Sequence, residues 1–219
     1  MRKVVVGAFV TLDGVMQAPG GPEEDRTGGF NHGGWVQPLW DGDSEEKISS
    51  LFSEPFDLLL GRKTYEIFAA YWPYAKDDIG RSFNAATKYV ATRSGTPLTW
   101  RDSVALGDAV VDVRRLKRED GPVLLTQGSS VLVRSLLAAD LVDELHLLTF
   151  PITLGRGKRL FADDASAGAF QLLSHKISGT GVVIASYRRS GDVRTGSFAL
   201  EAPTEAESQR RERWERAEG

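Results

Sequence analysis

The segment Phe56–Glu66, FDLLLGRKTYE, contains the pattern from which the fold can be predicted. Its apolar run predicts a buried strand, which stops at Gly61, Arg62, Lys63 and Thr64 before a helical pattern starts. A strand that only fills a core has no need of two adjacent cations at its end. A strand that leads into an anion-binding helix N-terminus does, because that terminus offers free N–H groups and a positive dipole end. The segment therefore predicts a phosphate-binding corner between a strand and a helix.

Two later segments share this design. The predicted strand Lys88–Thr92 ends in RSG (93–95), and the predicted strand Val123–Thr126 ends in QGSS (127–130) before the helix Val131–Ala138. In open α/β sheets, ligands bind at the carboxyl edge of the strands, where glycine lets the backbone approach an anion. Each corner alone is more typical of a helix cap beside solvated cations. The three together predict a dinucleotide spread across the sheet edge.

The rest of the chain predicts how this sheet is completed. Strands are predicted at Lys3–Thr11 and Asp143–Phe150, a helix over Ser44–Ser53 with Ser44 as N-cap, and a hairpin within Ala169–Arg189. Strands that alternate with helices imply a mostly parallel α/β sheet, to which the hairpin adds an antiparallel edge. Residues 17–34 are too rich in glycine and proline for a regular element, and a loop this long is usually functional or disordered.

Composition limits the classes of protein that fit. The 219 residues, 41% hydrophobic and 26% charged, suit one domain (residues 1–190) followed by a charged tail (residues 191–219) that lies outside the core. No cysteine is present, which excludes disulfides and thiol chemistry, and His32, His146 and His175 are too far apart to predict a metal site. The net charge of −3 and the absence of a membrane-length apolar run predict neither a nucleic-acid nor a membrane partner, so a cytoplasmic protein is expected.

In order and spacing, several motifs resemble the dihydrofolate reductase superfamily, and within it the branch related to the reductase domain of the riboflavin-biosynthesis deaminase-reductase. The resemblance covers about residues 1–189. The motifs are VTLDGVMQAPGGPEED (10–25), GGFNHGGW (28–35), LLLGRKTYEIFAAYWP (58–73), KYVATRS (88–94), LLTQGSSVLVRSLLAADLVDELHL (124–147) and PITLGRGKRLF (151–161). The resemblance implies an eight-stranded, mainly parallel sheet flanked by helices, NADPH as hydride donor, a small heterocyclic substrate and a homodimer.

The resemblance also implies which residues bind the cofactor. The first corner would hold the pyrophosphate or the 2′-phosphate, the second the 2′-phosphate, and the third a further phosphate. The loop after the first strand would lie over the nicotinamide. The implied cofactor residues are Leu12, Val15, Met16, Gly61, Arg62, Lys63, Thr64, Thr92, Arg93, Ser94, Gln127, Gly128, Ser129 and Ser130.

Two carboxylates are candidates for handling the proton. The resemblance implies a catalytic acid on the helix before the Gly-Arg strand, and an ungapped count back from Gly61 reaches Glu45. The helix dipole is the favoured explanation of a glutamate in the first helical turn, because the riboflavin-pathway branch need not keep this acid. Asp13, in the LDG turn, is the second candidate, and an ordinary Asp-Gly turn is at least as good an interpretation.

Two aromatic residues of the long loop are candidates for substrate contacts. His32 and Trp35 lie in a glycine-rich stretch that would suit a planar heterocycle. Core packing or a dimer surface explains such aromatic residues equally well.

Several functions fit these patterns. An NADPH-dependent reductase of a pyrimidine or pteridine is predicted, with riboflavin-pathway reduction of a phosphoribosylamino-uracil as the leading activity. Dihydrofolate or dihydropteridine reduction is the runner-up, and a flavin reductase-like activity is a weaker possibility. A non-catalytic NADPH-binding protein on the same fold is the alternative from a different class.

Overall fold

The computed structural model describes residues 1–93, 95–161 and 165–218, and eight strands of this part of the chain form one sheet. The strands are β1 (Val4–Thr11), β2 (Phe56–Gly61), β3 (Lys88–Ala91), β4 (Ser103–Leu106), β5 (Val123–Gln127), β6 (Glu144–Phe150), β7 (Ala169–Ile177) and β8 (Val183–Gly191). They lie in the order β4-β3-β2-β5-β1-β6-β8-β7. β8 is antiparallel to β6 and β7, and the other neighbouring pairs are parallel. The predicted fold class is confirmed.

The described residues also form six α-helices. They are α1 (Gly42–Leu51), α2 (Arg62–Tyr71), α3 (Asp78–Ala85), α4 (Ala109–Leu116), α5 (Ser130–Ala138) and α6 (Glu205–Glu218). The predicted start of α1 was wrong. Asp41, not Ser44, is the N-cap, and its side chain accepts a hydrogen bond from the Ser44 N–H at 3.0 Å. Ser44 lies inside the helix and is fully buried.

Two elements were not predicted from local patterns. β4 has four residues and pairs only with β3 at the edge of the sheet, so its middle residues are exposed and its apolar run is only three residues long. α3 contains Gly80, a weak helix former. A Cβ at Gly80 would lie 2.7 Å from the Ala75 carbonyl oxygen, so tertiary packing, not helix propensity, selects this residue.

The central strands are buried on both faces. Because they are parallel, their carboxyl ends lie at one edge of the sheet. Leu58, Leu59 and Leu60 of β2 are all fully buried, although successive side chains point to opposite faces. Helices α2 and α3 cover one face, and α4 and α5 cover the other. A parallel strand covered on both faces has a continuous apolar sequence, which explains the LLL run.

Among the described residues, no helix is both long enough and apolar enough to cross a membrane. The cytoplasmic location stays a prediction.

The C-terminal tail forms a helix stabilised by contacts within itself. In α6, Glu207 accepts hydrogen bonds from Arg210 at 2.6 Å and from Arg211 at 2.8 Å, and the Arg210 guanidinium lies 4.6 Å from the centre of the Trp214 ring. Trp214 is 62% exposed, and Phe198 before the helix is fully exposed. The tail thus buries little apolar surface, which supports the proposed domain boundary near residue 190.

Removing the tail after Gly191 is expected to leave the fold intact, because the deleted residues bury too little apolar surface to offset their ordering entropy. The change in the free energy of unfolding should stay below about 1 kcal/mol, so Tm should move by less than roughly 2–4 °C. Calorimetry of the full-length and shortened chains measures this. A larger drop would show that the tail packs against the domain or across a dimer.

Candidate functional site

A cleft of about 1090 Å³ opens at the carboxyl edge of the sheet. Its lining includes residues at or beyond the ends of five adjacent strands, in the order β4, β3, β2, β5 and β1. Neighbouring strands lie about 4.8 Å apart, so four steps across this edge span about 19 Å. An extended dinucleotide and a second small molecule need an opening of this kind.

The starts of α2 and α5 are joined at the middle of the cleft. The Gly61 N–H donates to Ser129 Oγ at 2.9 Å, and the Ser129 N–H donates to Thr64 Oγ1 at 3.0 Å. Gly128 and Ser129 both adopt left-handed backbone angles, with φ of 67° and 58°. A Cβ at Gly128 would lie 3.2 Å from Thr64 Oγ1, so this position favours glycine for both its φ and its space. Two helix N-termini thus reach the cleft side by side, as anion binding requires.

Three cations lie along this part of the cleft. Arg62 is held in place because its Nε donates to Glu66 at 2.7 Å and its Nη1 donates to the Thr96 carbonyl at 3.0 Å. Lys63 and Arg93 are exposed and line the cleft. The predicted cofactor residues Thr92, Gln127 and Ser130 also line it, whereas Ser94 lies outside the described residues.

A third helix N-terminus reaches the cleft at the end of β4. Residues 106–110 line the cleft, and Asp108 caps α4 by accepting hydrogen bonds from the N–H groups of Val110 and Val111, each at 3.0 Å. The sequence analysis did not assign this corner to the site because β4 was not recognised. The Gly-Asp pair before an apolar helix was the available signal.

The loop after β1 forms the wall at the opposite end of the cleft, and Gln17 orders it. The buried Gln17 side chain donates to the carbonyl oxygens of Asp25 at 3.0 Å and Thr27 at 2.9 Å, and it accepts from the Lys158 N–H at 3.0 Å. Residues 16–21 line the cleft together with Phe9 of β1 and Ile48 of α1. The glycine-rich loop is therefore ordered by side-chain hydrogen bonds and forms part of the cleft wall.

The two predicted substrate residues lie elsewhere. Trp35 is 7% exposed, donates from its indole nitrogen to the Gln17 carbonyl at 2.8 Å, and packs edge-on against Phe150. Its buried ring packs beneath the loop after β1 and holds the Gln17 backbone, as the core-packing alternative predicts. His32 is exposed and lies against the edge of Phe30, outside the cleft lining.

The three residues predicted to lie over the nicotinamide are found in three different environments. Met16 lines the cleft, Val15 is fully buried, and Leu12 is 65% exposed. Asp13 lies outside the cleft lining, because its carboxylate accepts hydrogen bonds from Thr11 Oγ1 at 2.5 Å and from the Gly155 N–H at 2.7 Å. Burial raises the pKa of Asp13, but these bonds and one from Leu154 outweigh it and hold the pKa below its usual value. Asp13 therefore lies in the turn after β1 and joins it to the loop that contains Gly155, and its lowered pKa favours the carboxylate form.

Glu45 also lies outside the cleft lining. The buried face of α1 contains Ser44 and Ile48, one helical turn apart, and Ile48 is the α1 residue that lines the cleft. Glu45 is rotated by about 100° from Ser44 around the helix and is exposed to solvent. This placement agrees with the helix-dipole interpretation.

Besides Asp108, two acids line the cleft, and their surroundings shift their pKa values in opposite directions. Glu24 is half-buried and accepts a hydrogen bond from the Gly20 N–H at 2.6 Å. Burial raises the pKa of Glu24, and the neighbouring Asp25 charge adds to this, against the N–H groups of Gly20 and Gly21. Burial also raises the pKa of Asp25, but the Lys158 ammonium and Thr27 hydrogen bonds lower it below its usual value. The pKa of Glu24 is thus raised while that of Asp25 is lowered, so Glu24 is the more readily protonated of the two acids, a division typical of acid–base sites.

The sequence analysis missed Glu24 and Asp25. The signal was the acidic run EED (23–25) in a loop already considered functional. The tertiary contact with Lys158, 133 residues away, and the local hydrogen bonds from Thr27 distinguish Asp25 from Glu24.

Solved structures share this fold at low identity. A Shewanella sp. PV-4 protein, provisionally named a riboflavin biosynthesis protein, has a TM-score of 0.65 at 19% identity, with 86% of this chain and 99% of that chain covered. The Thermotoga maritima deaminase/5-amino-6-(5-phosphoribosylamino)uracil reductase has a TM-score of 0.58 at 16% identity, with 86% and 57% covered. The Enterococcus faecalis dihydrofolate reductase complexed with NADP(H) has a TM-score of 0.54 at 14% identity, with 85% and 96% covered. These likenesses show the fold.

Sequence comparisons identify the family. The uncharacterized protein YyaP of Bacillus subtilis (strain 168) is 23% identical over 196 residues, which are 87% of this chain and 96% of that protein. The model of the RibD C-terminal domain matches residues 2–184, which include all of the sheet up to the first residues of β8. The chain belongs to the RibD C-terminal domain family, as the motifs predicted.

Proposed function

We propose that this protein is an NADPH-dependent reductase of a small planar heterocycle of pyrimidine or pteridine type. The observation that carries the proposal is the division of one cleft into two ends. Helix N-termini and cations lie at the ends of β2, β3 and β5, and an apolar wall with Glu24 lies at the end of β1. Family membership supports a pyrimidine reductase-like activity, such as reduction of 5-amino-6-(5-phosphoribosylamino)uracil. The fold shared with a dihydrofolate reductase supports dihydrofolate reduction as the second candidate.

The residues at the cationic end fit the phosphates of NADPH, which supplies a hydride when bound. The starts of α2 and α5, already joined through Thr64 and Ser129, would bind the pyrophosphate with their free N–H groups. Arg93, with Thr92 and Ser94, would bind the 2′-phosphate. Met16 would lie beside the nicotinamide.

Glu24 would supply the proton. Reduction of a C=N bond adds a hydride to carbon and a proton to nitrogen, so the protein must deliver one proton. Burial raises the pKa of Glu24, which makes its protonated carboxyl more accessible than that of an exposed glutamate, and Glu24 lines the end of the cleft away from Arg62, Lys63 and Arg93. After the transfer, water returns the proton to the Glu24 carboxylate. Glu24 thereby takes the role that the sequence analysis considered for Glu45 and Asp13.

The test measures binding and turnover separately. NADPH fluorescence should show saturable binding, and NADPH absorbance should then fall when 5-amino-6-(5-phosphoribosylamino)uracil, 5-amino-6-ribosylaminouracil, dihydrofolate or riboflavin is added. Oxidation with any one of them supports a reductase. Binding without oxidation by any acceptor would favour a non-catalytic NADPH-binding protein, and absence of binding would reject the proposal.

We also expect a homodimer that covers the β7 edge. β7 has nine residues and ends the sheet, and its Leu172 and Ile177 side chains are 49% and 67% exposed. An open apolar edge strand is a template for pairing with another chain. Light scattering should give twice the chain mass, and Ile177→Lys should shift the protein to monomer. Val193→Lys, at an exposed apolar residue outside β7, is the control. A wild-type monomer would contradict this prediction.

A further inference from the structure

The charges at the two ends of the cleft differ in sign. The end formed by β2 and β3 is lined by Arg62, Lys63 and Arg93. The end formed by β1 and its loop is lined by Glu24 and Asp25, and Lys158 is the only cation among the described residues that line this end. A molecule bound beside the cofactor therefore meets a net negative or neutral surface.

Lys158 is already neutralised. Its ammonium forms an ion pair with Asp25, whose side chain is only 12% exposed. Asp25 is further fixed by Thr27, which donates to it from both its backbone N–H and its hydroxyl. A phosphate would have to displace a buried carboxylate to gain this cation, and Glu24 would lie beside it.

The remaining wall at this end is suited to an uncharged ring. Phe9, Met16, Val36 and Ile48 line it from β1, the loop and α1. Flat apolar walls with a few polar groups are typical of sites for planar heterocycles. The first turn of α1, which could otherwise attract an anion, carries Asp43 and Glu45 and does not line the cleft.

We propose that the hydride acceptor is a planar heterocycle without a phosphate group, and that Glu24 and the Asp25–Lys158 pair select against the phosphorylated form. This inference rests on the proposed reductase function and narrows its substrate. The geometry disfavours 5-amino-6-(5-phosphoribosylamino)uracil relative to its dephosphorylated counterpart.

The test uses pairs of ligands that differ only by the phosphate. Calorimetry on the full-length protein saturated with NADP⁺ compares 5-amino-6-ribosylaminouracil with its 5′-phosphate, and riboflavin with FMN. At least one unphosphorylated member should bind about tenfold more tightly, the size expected for one like-charge contact at about 6 Å with an effective dielectric constant of about 40. Equal or tighter binding of the phosphorylated member in both pairs, or no binding of any of the four, would overturn the proposal.

Charge variants test the cause of the preference. Asp25→Asn frees the Lys158 ammonium, so it should improve binding of the phosphorylated member and reduce the preference severalfold. Glu24→Gln should also reduce it at a pH where the Glu24 carboxyl is ionised, because glutamine removes that negative charge. Glu23→Gln, an exposed acid of the same loop, should leave it unchanged. A preference that survives both Asp25→Asn and Glu24→Gln would overturn the assignment to these residues.

The failure of this inference can be distinguished from failure of the proposed function. NADPH binding is measured by fluorescence without any acceptor. If NADPH binds and the phosphorylated ligands bind as tightly as their unphosphorylated partners or more tightly, only the substrate inference fails. If NADPH does not bind, the reductase proposal fails, and the ligand pairs are then compared on the protein without nucleotide, where the same preference is expected.

Discussion

Replacing Glu24 by glutamine is expected to lower the rate of NADPH oxidation by about a hundredfold to ten-thousandfold, the usual contribution of a general acid. Glutamine keeps an oxygen that can accept the Gly20 N–H but has no proton of suitable acidity. NADPH affinity should stay within about twofold, because Glu24 lies at the end of the cleft away from the phosphate corners. Stopped-flow absorbance gives the rate, and fluorescence titration gives the affinity.

The pH dependence of this variant should also change. The pKa of Glu24 is raised by burial, and the charged groups around it are Asp25, which raises it further, and Lys158, which is paired with Asp25. A general acid acts in its protonated form, so the wild-type rate should be highest below this pKa and fall as the pH rises through it. The Glu24→Gln variant should lack this decline.

Two further variants make the test specific. Glu23→Gln changes an exposed acid of the same loop and should leave the rate unchanged. Glu45→Gln tests the assignment made from the sequence. A large loss in Glu45→Gln together with an unaffected Glu24→Gln would show that α1 rotates when ligands bind and would restore Glu45 as the acid.

Replacing Arg93 by alanine should weaken NADPH binding by about tenfold to a hundredfold and leave NADH binding nearly unchanged. A hydrogen bond to a charged group contributes roughly 1.5–3 kcal/mol, and a guanidinium can form two with one phosphate. The 2′-phosphate is the only group that distinguishes the two cofactors, so a residue that contacts it affects one and not the other. Arg93 is exposed at the cleft rim directly after β3, where such a contact is open to it.

Paired fluorescence titrations of both cofactors at fixed salt measure this effect. Arg118→Ala, at an exposed arginine outside the cleft lining, controls for the loss of a positive charge. Equal weakening of both cofactors would show that Arg93 contacts the shared pyrophosphate. A wild-type preference for NADH would reject the assignment of this corner.

Most of the cationic end of the cleft could be predicted from the sequence by itself. The strand LLL followed by GRKT, and the strand VLLT followed by QGSS, each carry their signal within about ten residues. Such corners are local: an apolar run determines the strand, glycine permits the turn, and the following residues start the helix. Since carboxyl ends of parallel strands meet at one edge, three local signals were enough to place Gly61, Arg93 and Gly128 along the same edge.

The arrangement of the opposite end, beside β1, was decided only by the tertiary structure. Whether a carboxylate of α1 faces the cleft depends on the rotation of that helix, and burial of Ser44 and Ile48 turns Glu45 toward solvent. Trp35 looked available for a substrate, but its indole supports the loop through Gln17. Glu24 and Asp25 are adjacent acids that no local pattern distinguishes. Burial raises the pKa of both, but Lys158, far along the chain, pairs with Asp25 and not with Glu24, and this contact arises only when distant segments pack together.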